Sequence, residues 1–256
     1  MRVVLELINQ EKSHLPIEAE SIVPANFLGP VAKLSVYRGN RELALDQIFR
    51  ITVEGDASCA DEVEVVLRGA CSRIKRIGEY MDGGRIVVEG SIGMHCGNFM
   101  SGGEIIIEGD ADAWLGREMV GGSIICQGDA GDYCGAGYRG EKRGMRGGRL
   151  EVFGNAGDLA AETLSGGTVI IHGNAGDLSG AEMKEGTLVI MGDCTRACAN
   201  MSGGTAYVHG RVRDMIPTFR SEGKVRVEGL EFTRFSGDIA NRGKGTLFIR
   251  DYLYME

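Results

Sequence analysis

The chain has 256 residues, a formal net charge of −8 and 41 glycines, which is more than twice the usual share of glycine. This negative charge excludes the basic footprint that a nucleic-acid-binding protein carries. No apolar run reaches the roughly 18 residues that a membrane span needs. Seven cysteines without a secretory signal predict a reducing, cytoplasmic location.

Residues 1–60 differ from the rest of the chain because they carry no repeated phrase. Two strands are predicted here, over Val3 to Ile8 and over Ile48 to Gly55, with an extended segment and a proline-containing loop between them. The repeats that follow would leave unpaired backbone groups at their open end. We therefore expect residues 1–60 to form an N-terminal cap.

A ten-residue phrase that begins with Met-x-Gly-Gly in its clearest copies recurs between Met81 and Gly229. The glycines that close its eight copies follow one another at intervals of 19, 19, 26, 19, 19, 18 and 19 residues: Gly90, Gly109, Gly128, Gly154, Gly173, Gly192, Gly210 and Gly229. A fixed period this short is typical of a solenoid. Inside each copy the apolar residues alternate with a period of two, which predicts a strand with one buried face.

Aligning the copies gives two columns of inward-facing side chains, and neither column contains a charge. The first column is Ile86, Ile105, Ile124, Leu150, Val169, Leu188, Ala206 and Val225, and the second is Val88, Ile107, Cys126, Val152, Ile171, Ile190, Val208 and Val227. A second inward segment is predicted after each closing glycine, with small residues opposite the larger Trp114, Tyr133, Leu159 and Leu178. An outward column that begins with Val87 and Ile106 is also mostly apolar, with Glu151 and Arg226 as its charged members, so the terminal segments or another protein should cover it.

These patterns predict an all-β fold, a single-stranded right-handed parallel β-helix of about eight turns of ~19 residues. The glycine-rich helix is assigned to residues 61–229. Residues 1–60 and 230–256 are assigned to N-terminal and C-terminal capping segments.

One copy is followed by seven extra residues, which form a charged loop with an aromatic tip at 136–144. Its three glycines match Gly-x-Gly-x-x-Gly, but no helical pattern follows to receive a pyrophosphate, so a dinucleotide site is rejected. Long loops on rigid scaffolds are more often docking elements. The candidate interface residues, for contact with another subunit, are Tyr138, Arg139, Glu141, Lys142 and Arg143.

Three cysteines share one position in the aligned copies, which invites an iron–sulfur interpretation. However, Cys96, Cys134 and Cys198 stand two and then three copies apart, which is about 10 and 14 Å at strand spacing and too far for ligands of one cluster. We interpret them as small buried residues. Neither metal-binding nor cofactor-binding residues are therefore predicted in this chain.

Three aspartates also line up on neighbouring copies. Asp132, Asp158 and Asp177 each follow a glycine in a phrase of the type Asp/Asn-Ala-Gly-Asp. Turn formation is favoured over a calcium site or a glycosidase site, because aspartate and glycine are both turn residues. No catalytic residue is predicted.

The glycine phrase that runs on into Asp/Asn-Ala-Gly-Asp, together with the insertion at 138–144, resembles the C subunit of formylmethanofuran dehydrogenase. Arg76-Ile-Gly78 before the first copy and Gly93-Met-His95 after it strengthen the resemblance, which covers about residues 15–229. The glycine phrase alone is shared with the carboxy-terminal domain of glutamate synthase.

The resemblance implies a cytoplasmic complex of methanogenic archaea that reduces carbon dioxide and attaches it to methanofuran as a formyl group. It implies that this chain is a non-catalytic docking scaffold for three kinds of partner: a molybdopterin or tungstopterin catalytic subunit, an amidohydrolase-like subunit and ferredoxin-like subunits. The molybdenum or tungsten pterin, the iron–sulfur clusters and a dinuclear metal centre would belong to those partners. Two alternatives stay open: the C subunit of a bacterial formyltransferase/hydrolase complex, and a stand-alone β-helix carbohydrate-active enzyme.

Overall fold

The computed structural model describes residues 1–8 and 15–254, which form an all-β fold as predicted. The strands are β1 (Arg2–Leu7), β2 (Ile17–Glu18), β3 (Ser35–Arg38), β4 (Arg41–Ala44), β5 (Phe49–Glu54), β6 (Glu64–Arg68), β7 (Ile74–Lys75), β8 (Arg85–Glu89), β9 (Glu104–Ile107), β10 (Ser123–Cys126), β11 (Arg146–Val152), β12 (Ser165–Ile171), β13 (Glu185–Ile190), β14 (Cys194–Thr195), β15 (Thr205–Met215), β16 (Arg220–Val227), β17 (Leu230–Gly237) and β18 (Gly245–Tyr254). Short 3-10 helices span Pro24–Leu28, Val31–Lys33, Leu45–Gln47, Ala60–Glu62, Cys71–Arg73 and Ile239–Asn241. Among the described residues, no helix has the length and apolar character to cross a membrane.

Among the described residues, fourteen strands form one sheet, and most of its neighbouring strands run parallel in chain order. The central order is β6, β8, β9, β10, β11, β12, β13 and β15, with every strand parallel to the next. β1 pairs parallel with β6 and β18 pairs parallel with β15, so strands from both termini extend this ladder. The antiparallel strand β5 lies at one edge, and the antiparallel hairpin β16–β17 lies at the other.

The two inward columns are confirmed from β8 to β15, where all their side chains are fully buried. β1 adds Val3 and Leu5 to these columns, and β6 adds Val65 and Leu67, which are also fully buried. A continuous stack of apolar side chains therefore runs from the N-terminal strand to the C-terminal strand. It needs no buried charge, because the charged residues of each strand occupy the alternate positions.

The prediction that the eighth copy, residues 220–229, continues the parallel ladder is wrong. These residues contain β16, which pairs antiparallel with β17 and leaves Val225 and Val227 only partly buried. β18 takes the place beside β15 and buries Leu247 and Ile249 completely. β18 is favoured beside β15 because its residues Thr-Leu-Phe-Ile bury more apolar surface there than the half-charged Lys-Val-Arg-Val of β16 would.

The outward apolar column is covered at its C-terminal end by the terminal strands. The ring of Tyr207 stacks on Phe248 of β18 at 4.8 Å between centroids, and it meets Phe232 of β17 edge-on at 6.3 Å. The sequence predicts that either the terminal segments or another protein cover this column, and at this end the terminal segments do so.

Each residue of the glycine pair is required by a different feature of the backbone. A Cβ atom on the first glycine would collide with the preceding copy, as at Gly166, where it would lie 2.2 Å from the carbonyl oxygen of Arg146. The second glycine has left-handed backbone, with φ +75° at Gly167. The pair therefore permits close stacking of successive copies and the sharp entry into each strand.

Side-chain oxygens after the closing glycines tie each copy to the next. The Oδ1 atoms of Asp132 and Asp158 accept hydrogen bonds from the backbone N–H groups of Asp158 and Asp177, both at 2.8 Å. A second series runs alongside: the residues whose side chains accept from the next copy are Ser91, Asp110, Asp129, Asn155, Asn174 and Asp193. The turn interpretation is confirmed for Asp132 and Asp158, whose oxygens bind backbone N–H groups, whereas the carboxylate of Asp177 pairs with Arg196.

Candidate functional site: an aromatic corner

One corner of the successive copies carries non-glycine residues with left-handed backbone. The column is Arg76, His95, Trp114, Tyr133, Leu159, Leu178 and Arg196, with φ between 47° and 67°. The prediction that Trp114, Tyr133, Leu159 and Leu178 point into the core is wrong, since all four are partly exposed. The left-handed turn directs the next residue inward instead, and those residues are fully buried: Cys96, Leu115, Cys134, Ala160 and Ser179.

The large side chains of this corner stack on one another. His95 lies on Trp114 with ring centroids 5.1 Å apart and planes 14° apart, and Trp114 lies on Tyr133 at 5.0 Å and 5°. A second stack pairs Tyr80 with Phe99 at 4.8 Å and 8°. Each such ring pair adds about 0.5–1.5 kcal/mol of stability beyond the contribution of its buried area. The stacking therefore helps to hold these rings in fixed positions.

A column of buried polar residues occupies the position between the two stacks in successive copies. It consists of Glu79, Asn98 and Arg117, which are 7%, 0% and 8% exposed. Both oxygens of Glu79 accept hydrogen bonds from Arg76 Nη1 at 3.0 Å. Glu18, from the N-terminal region, binds Arg76 Nε at 3.0 Å, so this pair joins the N-terminal region to the repeats.

The guanidinium of Arg117 contacts two aromatic rings. Its Cζ lies 4.6 Å from the ring centroid of Phe99 and 4.9 Å from that of Tyr138. The nearest carboxylate oxygen is Glu118 Oε1, at 3.8 Å from Arg117 Nε. Arg117 therefore makes cation–π contacts with one ring from a repeat and one ring from the insertion loop.

The insertion loop brings two of the five candidate interface residues to this corner. The ring of Tyr138 lies 5.8 Å from Trp114 and 6.3 Å from His95, and Arg139 Cζ lies 6.0 Å from the Trp114 ring. The other three, Glu141, Lys142 and Arg143, are exposed, and the backbone oxygen of Lys142 accepts a hydrogen bond from Lys184 Nζ. We call Tyr80, His95, Asn98, Phe99, Trp114, Arg117, Tyr133 and Tyr138 the aromatic corner.

Strand periodicity alone does not predict most of the aromatic corner, although the sequence carries a signal for it. His95, Trp114 and Tyr133 follow one another at intervals of 19 residues, and so do Tyr80 and Phe99. Aligning the outward positions after the strands, in the same way as the strands themselves, groups these rings. Tyr138 and Arg139 are predicted from the sequence, because the extra length of this copy marks their loop.

Several polar atoms of this corner are buried without a partner in the part of the chain that the structure describes. They are His95 Nδ1, Asn98 Nδ2 and Oδ1, Trp114 Nε1 and Arg117 Nε. Burial lowers the pKa of His95 to about 4, and the charges of Arg117, Arg76 and Lys75 act in the same direction. The imidazole is therefore neutral at pH 7.

The low pKa of His95 makes stability pH-dependent. The unfolded chain takes up a proton at this residue near pH 6.5, and the folded chain does so only near pH 4. The contribution of neutral His95 to the free energy of unfolding is therefore complete above pH 6.5, and it falls as the pH is lowered towards 4. We expect His95→Gln to abolish this part of the pH dependence, which urea titrations of both proteins between pH 4 and 7.5 would measure. A difference in the free energy of unfolding between the two proteins that stays constant from pH 4 to 7.5 would contradict this prediction.

The cysteines behave as apolar residues. Cys96, Cys134 and Cys198 are fully buried, as predicted, and burial raises the pKa of Cys134 and of Cys198 to about 12, so both stay in the thiol form. All seven cysteines of the chain are free of disulfides. Within residues 1–8 and 15–254, no three His, Cys, Asp or Glu side chains are close enough together to hold a metal ion.

Comparison with curated proteins relates this chain to one kind of protein. It is 39% identical over 93 residues to the C subunit of the molybdenum-containing formylmethanofuran dehydrogenase 1 of Methanosarcina barkeri, a match that covers 35% of this chain and 31% of the relative. It is 36% identical over 95 residues to the C subunit of the tungsten-containing formylmethanofuran dehydrogenase 2 of Methanothermobacter thermautotrophicus, covering 36% and 35%. The matched segment spans about a third of the length of these relatives. No protein-family model matches the chain.

A solved structure extends the similarity over nearly the whole chain. It is the crystal structure of the formyltransferase/hydrolase complex from Methylorubrum extorquens in complex with methylofuran. One chain of it is 27% identical, has a TM-score of 0.86, and is matched over 96% of this chain and 98% of its own length. Together with the curated relatives, this likeness confirms that the chain is similar to the C subunit of formylmethanofuran dehydrogenase, as its glycine phrase and insertion predict.

Proposed function

We propose that this chain is a non-catalytic structural subunit of a formylmethanofuran dehydrogenase complex, in which it is a docking scaffold for catalytic subunits. The complex would reduce carbon dioxide and attach it to methanofuran as a formyl group. The observation that carries this proposal is the match of nearly the whole chain to a component of a larger enzyme complex. The names of the curated relatives, all C subunits of formylmethanofuran dehydrogenases, support it.

We infer that the scaffold is a right-handed parallel β-helix over residues 61–219, with capping segments at 1–60 and 220–256, because β16 lies outside the parallel ladder. In support, a second series of parallel bridges joins the residues that follow the closing glycines, from Ile92 through Ala111, Ala130 and Ala156 to Ala175. Within the caps, β1 and β18 would serve as end strands, and β5 and the β16–β17 hairpin would protect the sheet edges. Such a rod holds surface residues in fixed relative positions.

The docking surface that we propose is the aromatic corner together with the exposed residues of the 136–144 loop. Tyr80 is 68% exposed and Tyr138 is 45% exposed, which is unusual for large rings without a partner. Tyrosine, tryptophan and arginine are the residues that most often supply the binding energy of protein interfaces.

The partners we propose are a molybdopterin or tungstopterin catalytic subunit, an amidohydrolase-like subunit and ferredoxin-like subunits. These partners would hold the metal pterin, the iron–sulfur clusters and the dinuclear metal centre. The names of the relatives support molybdenum or tungsten in such complexes. A cytoplasmic location also belongs to this proposal, supported by seven cysteines without a disulfide.

A second candidate is the C subunit of a bacterial formyltransferase/hydrolase complex, which the structural match favours. Mass spectrometry of the natively purified complex separates the two. Co-purification with molybdopterin and ferredoxin-like subunits supports the dehydrogenase, and a formyltransferase without them supports the second candidate. A lone active chain would indicate the carbohydrate-active enzyme, which the structure disfavours because Asp132 and Asp158 bind backbone N–H groups.

Removing the loop's contact residues should loosen assembly. We expect Tyr138→Ala with Arg139→Ala to weaken association by a few kcal/mol at most, while the isolated chain keeps its fold. Activity should fall in proportion to the complex lost, so turnover per assembled complex stays normal. Native mass spectrometry and size-exclusion chromatography would measure the assembled fraction.

A matched control is available on the β3–β4 hairpin. Tyr37→Ala with Arg41→Ala removes the same two residue types from another exposed site and should leave assembly unchanged. If the loop variant assembled fully but were inactive, the loop would belong to a substrate path. Full assembly with full activity would place the interface elsewhere on the chain.

A further inference from the structure

The unpartnered buried atoms of the aromatic corner are mostly hydrogen-bond donors. Trp114 Nε1 and Arg117 Nε can only donate, and the amide of Asn98 offers two donors and one acceptor. None of these atoms has a hydrogen-bond partner among the described residues. A buried donor left unpaired costs about 1–3 kcal/mol, so a concentration of them indicates that an acceptor from another molecule completes the site.

The charge at this place selects an anion. Arg117 is 8% exposed, and its ion pair with Glu118 is loose, because 3.8 Å between Arg117 Nε and Glu118 Oε1 is beyond hydrogen-bond distance. Glu79, two copies earlier at the same position, is already engaged by Arg76 through both oxygens. A cationic ligand would be repelled by Arg117 and by Arg139, whereas a planar carboxylate matches the donor pattern of a guanidinium.

The walls of the site are flat rings, and one of them belongs to the insertion loop. Phe99 and Tyr138 both contact the Arg117 guanidinium. Tyr138 is 45% exposed, and its backbone N–H makes only a 3.4 Å hydrogen bond to Glu118 Oε1. Because Tyr138 is outside the strand ladder, its ring can swing away without breaking any strand pairing.

We propose that the aromatic corner contains a pocket for a carboxylate, supplied by an Asp or Glu side chain of a partner subunit. This inference rests on the docking function proposed above and specifies the chemistry of the partner at that surface. The carboxylate would accept hydrogen bonds from Arg117 and from Trp114 Nε1 while Tyr138 moves outward to contact the partner. The burial of Arg117 strengthens these charge-assisted bonds because water is largely excluded.

The chain provides its own reporter, because Trp114 is its one tryptophan. Titration of the full chain with N-acetylglutamate α-amide should shift the single indole N–H resonance to saturation. The uncharged N-acetylglutamine α-amide, which has nearly the same shape, should leave it unchanged. The carboxylate should also raise the pKa of His95 from about 4, because an anion offsets the repulsion from Arg117 and Arg76.

Variants assign the effect to Arg117. We expect Arg117→Gln to weaken carboxylate binding by about tenfold or more, and Arg117→Lys, which keeps the charge but loses the forked donors, to weaken it less. Arg220→Gln removes an exposed arginine from β16 and should have no effect. Amide spectra of the three variants verify that each is folded. Equal responses to the glutamate and glutamine probes, or no saturable shift with either, would overturn the proposal.

The assembled complex distinguishes this inference from the docking function. Binding of the partner should perturb the fluorescence of Trp114. If partners co-purify but Trp114 does not respond to assembly, the partner-carboxylate proposal fails and the docking function stands. If free carboxylate binds but assembly leaves Trp114 unchanged, a small molecule is the ligand and the partner assignment is wrong. If no partner co-purifies, the docking function itself fails, whatever the probe titration gives.

Discussion

Replacing Val169 by aspartate is expected to lower the free energy of unfolding by about 4 kcal/mol or more, because it would bury an unpaired carboxylate. Val169 is fully buried in β12, in register with Leu150 of β11 and Leu188 of β13. Both columns of the core are apolar, so no neighbouring cation is available. Urea unfolding followed by circular dichroism would measure the loss.

The matched control is Glu108→Gln, which removes a charge from an exposed position after β9. This change should alter stability by less than about 0.5 kcal/mol. Amide hydrogen exchange of the aspartate variant should also show the lost protection spreading from β12 to β11 and β13, because each strand is supported mainly by its neighbours. Equal stability of the two variants would contradict the register of the ladder.

The repeated strands could be predicted from the sequence because their determinants are local. Alternation fixes which face of a strand is buried, and the 19-residue interval fixes which residues stack. Val169 and its neighbours therefore fell into the correct column. The turn role of Asp132 and Asp158 could also be predicted, because aspartate and glycine are both turn residues.

The C-terminal end could not be predicted in this way, because two segments compete for one place. Residues 220–229 resemble the repeated phrase, but β18 buries Leu247 and Ile249 and stacks Phe248 on Tyr207. Which strand lies beside β15 depends on the total area that each alternative buries. The local sequence pattern of either segment does not show which of the two buries the larger area.

The candidate site was predicted only in part for a similar reason. The insertion marked Tyr138 and Arg139, but their contacts with Trp114 and Arg117 depend on rings that come from different copies. The left-handed backbone at His95, Trp114 and Tyr133 turns these side chains outward, and strand alternation does not reveal that conformation. Because Tyr138 packs on its own chain and is also 45% exposed, a partner that displaces it from these rings must replace their contacts.

Replacing Gly166 by alanine is expected to destabilise the protein by about 3 kcal/mol, the upper part of the usual range for overpacking. The added methyl group would lie 2.2 Å from the carbonyl oxygen of Arg146 and 2.8 Å from its carbonyl carbon. Both are backbone atoms of the adjacent strand, so no flexible side chain can move aside. The two strands would have to separate, and the hydrogen bonds between β11 and β12 would lengthen.

Gly29→Ala is the control, because a methyl group there would meet only the carbonyl oxygen of Asn26 at 3.7 Å, and φ is −100°. We expect it to change the melting temperature little, since alanine accepts this conformation and also restricts the unfolded chain. In a chain of this size about 3 kcal/mol corresponds to roughly 6–12 °C, which differential scanning calorimetry resolves easily. Equal melting temperatures for the two variants would mean that adjacent strands do not approach as closely at the glycine pair as the fold requires. Such a result would remove the steric reason for the first glycine of every copy.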